Sequence, residues 1–99
     1  MDPETHEKFL KMREAVTSHF DALRKDIKPS GIFDLKSRAT LGRLTTLQRQ
    51  LETELYDILE SDGDVSSLIA KYQEEENEII KGHSLMDDVM NALEGKNDI

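Results

Sequence analysis

The chain has no cysteine and no tryptophan, only five Phe and Tyr together, and two prolines in 99 residues. Without cysteine neither a disulfide framework nor a thiolate zinc site can form, which suits a reducing compartment. Few aromatic residues and a wealth of leucine argue against a sheet sandwich and for helices packed side by side. The first residues, MDPETHEKFL, lack the basic and apolar regions of a signal peptide, and no apolar run approaches a membrane span. The expectation is a soluble, intracellular protein, cytoplasmic or nuclear.

What is present is charge and leucine. The formal net charge is -8 and the mean hydropathy -0.61, which leaves a modest core for one small domain. The charge is unevenly placed: residues 1–51 hold ten Lys and Arg against seven Asp and Glu, and residues 52–99 hold three against fourteen. An acidic second half argues against broad nucleic-acid binding, which rests on neutralising phosphates. It permits a basic partner, including the first half of another copy.

The organising stretch is 34–60, DLKSRATLGRLTTLQRQLETELYDILE. Leu44, Leu47, Leu51, Leu55 and Ile58 advance by threes and fours, a helical period. At about 1.5 Å per residue this helix is roughly 40 Å long, so other segments must lie along it. Their spacing resembles that of coiled-coil assembly regions in general, a likeness that carries over no residue role and no activity. Before it, Asp2 and Pro3 open a first helix expected over 3–27. Its residues Phe9, Met12, Val16, Phe20, Leu23 and Ile27 form a nearly straight stripe. The break between the two lies in Lys28, Pro29, Ser30 and Gly31. Ile32 and Phe33 are placed as a hydrophobic staple before the cap Asp34. Gly42, costly inside a helix, is expected to make room for Phe20.

Ser61, Asp62, Gly63 and Asp64 mark a second turn and cap a third helix expected over 64–81. Its apolar face, Val65, Leu68, Ile69 and Tyr72, is interrupted by QEEENE at 73–78, where Glu75 or Glu76 falls on a core position. Either the helix leaves the bundle there or those carboxylates meet cations, and the cations expected are Lys36, Arg38, Arg43 and Arg49 of the second helix, pairing with Glu74, Glu75, Glu76 and Glu78. Ser84 then caps a short helix over 85–94, with Leu85, Met86, Val89, Met90 and Leu93 on one face. About ten residues cannot stand alone as a helix, so this segment folds back or docks on a partner. The last residues, 94–99, are expected to fray.

No catalytic constellation appears. His6, His19 and His83 are far apart in sequence and are expected at the surface, and there is no metalloprotease helix motif, phosphate-binding glycine loop or cysteine nucleophile. The turn at Asp62, Gly63 and Asp64 fails as a calcium loop, because the twelfth position from Asp62 is Gln73 where a bidentate Glu is required. No Glu stands three residues before a His as a bundle di-metal site requires. The basic residues of the second helix do not fall on one stripe and have no aromatic neighbours for base stacking. No cofactor, metal or small-molecule substrate is implied.

The fold class expected is all-α: an antiparallel helical hairpin extended to a three-helix bundle or coiled-coil-like assembly, with a short fourth C-terminal helix, in one domain over 1–99. The function expected is non-catalytic: a protein-interaction or assembly module that self-associates as a homodimer or higher oligomer. The self-association or core residues would be Leu44, Leu47, Leu51, Leu55, Ile58, Phe9, Val16, Phe20 and Leu23, and Leu85, Met86, Val89, Met90 and Leu93 are the candidate docking face. Two other classes are an acidic inhibitor or nucleic-acid mimic that fills a basic site on a partner, and a nucleic-acid binder acting through the basic first half.

Overall fold

The computed structural model describes residues 1–28, 31 and 34–94 and shows, among them, four helices and no strand. The helices are α1 (Pro3–Asp26), α2 (Leu35–Glu60), α3 (Val65–Asn77) and α4 (Leu85–Glu94). The expected staple of Ile32 and Phe33, the turn residues Pro29 and Ser30, and the fraying over 95–99 lie outside the described residues.

Local chemistry sets each helix start. Asp2 accepts a hydrogen bond from the Thr5 amide at 2.8 Å, Asp34 from Ser37 at 3.0 Å and Asp64 from Ser67 at 3.3 Å, each satisfying an amide that has no partner within its helix. Ser84 does the same for α4, its hydroxyl accepting from the Asp87 amide at 3.1 Å. Asp62 takes a left-handed conformation at φ 57° in the turn before α3, a geometry that Asp tolerates better than most side chains.

The helices pack with α1 between α2 and α4, and α3 between the same two. Along α1 and α2, Phe9 meets Tyr56 and Thr17 meets Glu52, while Arg24 binds Gln48, so one number rises as the other falls. One buried cluster joins them: Met12, Val16, Phe20 and Leu23 of α1, Leu44, Leu51 and Leu55 of α2, Ile69 of α3, and Leu85 and Val89 of α4 are closed to solvent. The longest dimension is 47 Å, set by helices of the length of α2. No described helix is long and apolar enough to cross a membrane.

Two expectations are corrected. The third helix ends at Asn77, four residues short of Lys81. The Ile79 and Ile80 amides both turn back to the Glu76 carbonyl, at 2.9 and 2.8 Å, and both side chains pack against the core. A continued helix would splay adjacent residues about 100° apart, so the turn brings the two isoleucines to one surface. Gly42 makes no room for Phe20: a Cβ there would meet nothing within 4 Å, and the glycine is exposed on a groove with Glu75, Glu78 and Ile79.

Candidate functional site

The most unusual chemistry in the molecule lies where α1, α3 and α4 meet. His19 continues the apolar stripe of α1, three residues after Val16 and four before Leu23, and is only 2% exposed. Its Nε2 is 2.5 Å from Glu76 Oε1 on α3, and its Nδ1 is 2.6 Å from Asp88 Oδ2 on α4. Glu76 is fully buried, whereas the Asp88 side chain is 47% exposed. Gln73 completes the node: its amide nitrogen donates to Glu76 Oε2 at 3.1 Å and its oxygen accepts from the Leu85 amide at 2.6 Å. The first residue of α4 is thereby bonded to α3.

A neutral imidazole has one N–H and one lone pair, and a carboxylate only accepts. Both ring nitrogens of His19 face carboxylate oxygens, so the arrangement fits an imidazolium donating twice. Burial alone would push its pKa down, but the hydrogen bonds and charges of Glu76 and Asp88 outweigh that and hold it above the ordinary 6.5. One cation between two carboxylates leaves the node with a net charge of about -1, enclosed by Phe20 in edge contact at 5.4 Å.

His83, in the connector before α4, stacks edge-on to His19 at 6.1 Å between ring centres, and its Nε2 lies 3.0 Å from Asp26 Oδ2. Even so, no group of His, Cys, Asp and Glu among the described residues is arranged to hold a metal ion. Both ring nitrogens of His19 are occupied by carboxylates. The node ties three helices together.

The sequence reading of the histidines is therefore corrected at His19, which is core, while His6 is exposed and His83 half-buried. The signal was available in the 16–19–23 spacing, which puts His19 on the same face as Val16 and Leu23. The reading that Glu75 or Glu76 occupies a core position resolves to Glu76. Its cation is His19, and not the arginines of α2.

Lys36, Arg38, Arg43 and Arg49 are all exposed, and among the described residues none forms an ion pair with Glu74, Glu75, Glu76 or Glu78. Arg43 shares a groove with Glu75 and Glu78, and Arg49 another with Glu75 and Tyr72.

The leucine spine is spent inside the chain. Leu44, Leu51 and Leu55 are fully buried, Leu47 is 6% exposed, and Ile58 packs on the same cluster. Phe9, Val16, Phe20 and Leu23 cover them from α1. Of the large apolar side chains of α2 only Leu35 and Tyr56 are strongly exposed. The candidate docking face also belongs to the core, with Leu85 and Val89 fully buried, Met86 and Leu93 packed against the cluster, and Met90 half-buried. Burial, joined by the neighbouring Glu54, raises the pKa of the Tyr72 phenol at the α2 and α3 contact.

Comparison of the chain with protein-family models, with curated proteins and with solved structures finds no match to any of them.

Proposed function

We propose that the chain is a non-catalytic protein-interaction module, a helical hairpin of α1 and α2 completed by α3 and α4, that self-associates through charge rather than through its leucines. The observation that carries this reading is the set of unpaired surface charges. Four cations on α2, Glu74 and Glu75 on α3, and Glu78 just beyond its end are exposed and make no ion pair among the described residues, while the apolar faces are consumed in the core. A two-fold pair of copies would satisfy both sets at once, because each copy offers the same exposed cations and carboxylates. Exposed ion pairs contribute roughly 0.2–1 kcal/mol each, so several are needed, and the association is weak and weakened further by salt.

The molecular mass in solution tests this. At low salt the wild type should form a dimer that dissociates as salt rises, and the double variant Arg43→Glu with Arg49→Glu should be monomeric at both. A wild type that stays monomeric at low salt up to high protein concentration, with its helicity intact, would remove the proposal. The same carboxylates would then be tested against a basic partner protein.

A further inference from the structure

We propose that His19 is a proton-controlled fastener of α4: the doubly protonated imidazole bridges Glu76 and Asp88, and loss of one ring proton releases α4 from the body of the domain. The proposal stands on the fold and does not depend on self-association.

The geometry supplies the parts. The bridge joins residues 57 and 69 positions apart in the chain, on three helices. When one N–H is removed, a ring lone pair is left facing a carboxylate oxygen at hydrogen-bond distance, and the node goes from about -1 to about -2 at a site buried on the Glu76 side. Its two ends differ in freedom. Glu76 is fully buried and its second oxygen is held by Gln73, so it cannot turn to water. Asp88 is half exposed and can. The strain therefore falls on α4.

That helix is the shortest of the four described. It has ten residues, below the length at which a helix persists alone in water. It is held by Leu85 and Val89 in the core with Met86 and Leu93 packed against it, by the Gln73 bond to the Leu85 amide, and by Asp88. The connector before it contains Gly82 at φ 147°, a conformation that glycine adopts without cost.

The charged groups around His19 come from each neighbour. Glu76 faces it from α3 and Asp88 from α4; the connector contributes His83, itself against Asp26 of α1. No charged group of α2 is among its partners. The docked imidazole holds its proton against both carboxylates and the opened one against Glu76 alone, so docking is supported in full at acid pH and the support is lost as pH rises through the docked value, which lies above the ordinary 6.5. Release would uncover the apolar face of α4 and the surface of α1 and α3 beneath it, the kind of groove that accepts an amphipathic helix.

Amide hydrogen exchange on the full chain, from about pH 5.5 to about pH 9 and corrected for intrinsic exchange rates, tests the fastener. The opening equilibrium of residues 85–94 should be flat at the acid end of this range, then rise with pH, by at most tenfold per pH unit, until the docked value is passed. The amides of α1 and α2 should keep their protection throughout. In Asp88→Asn the rise should be lost, because the asparagine amide can accept from or donate to either form of the ring. Three results would overturn the proposal: exchange of α4 that does not change with pH, protection lost from all four helices together, or the wild-type rise persisting in a folded Asp88→Asn. The wild-type series decides by itself if that variant does not fold.

Discussion

Leu51→Ala separates an internal spine from a seam between copies. Leu51 is fully buried at the middle of α2, one turn from Leu47 and one from Leu55. Alanine is as good a helix former as leucine, so the substitution leaves the helix itself unharmed and removes packing alone. Losing three carbons from a buried site costs about 2.4 kcal/mol in transfer free energy. With the cavity left behind, the range for buried leucines is about 2–5 kcal/mol. A value near 3 kcal/mol lowers the Tm of a domain this size by about 12–24 °C. Domains of this kind have roughly 5–15 kcal/mol in total, so the variant should still fold in the cold. Leu35→Ala is the control, since Leu35 is 73% exposed and should change stability by under about 0.5 kcal/mol. Thermal unfolding followed by circular dichroism at two protein concentrations reads both variants. If the two leucines cost the same, or if Leu51→Ala leaves Tm unchanged while lowering the solution mass, the leucines are a seam between chains and the reasoning fails.

The glycines give opposite signs. Gly42→Ala should stabilise by about 1 kcal/mol, since the glycine is exposed inside α2 with open space around it; a lowered Tm would contradict that. Gly63→Ala should destabilise by about 1–3 kcal/mol, because its Cβ would come within 2.5 Å of Ile58 Cγ1, and chemical denaturation with an unchanged midpoint would refute it. In acid, the caps weaken: the hydrogen bonds from Thr5 and Ser67 hold the Asp2 and Asp64 carboxyls below the usual 3.8. Their support is present above that value and lost as pH falls through the lowered ones. Asp64→Asn should therefore keep Tm near neutrality, since Asn caps equally well, and reduce the loss of Tm between about pH 5 and about pH 2.

Much of the scaffold was legible because it depends on neighbours in sequence. Asp2, Asp34, Asp64 and Ser84 cap amides three residues away, and the steps of three and four in Phe9, Met12, Val16, Phe20 and Leu23 name a buried face without any knowledge of what covers it. Limits appeared where distant chemistry decides. The clash of Glu76 with a core position was visible, yet its cation came from a residue 57 positions earlier, and charge counting favoured the more numerous arginines. Those arginines remain in water because an exposed ion pair gains little over solvation, whereas a buried carboxylate requires a partner. The end of α3 was missed for a related reason: Ile79 and Ile80 gain more by turning onto the core than by extending a helix whose next residues are Lys81 and Gly82. Gly42 shows the converse, a glycine whose position has no packing explanation in the structure.

The protonation state of His19 in the folded chain is the most direct test. Nitrogen NMR of the labelled imidazole at about pH 6.5, where a free ring is half protonated, should show His19 predominantly in the form with hydrogen on both nitrogens, each bonded to a carboxylate. A spectrum in which His19 is neutral, with one bare ring nitrogen, would contradict the double bridge to Glu76 and Asp88.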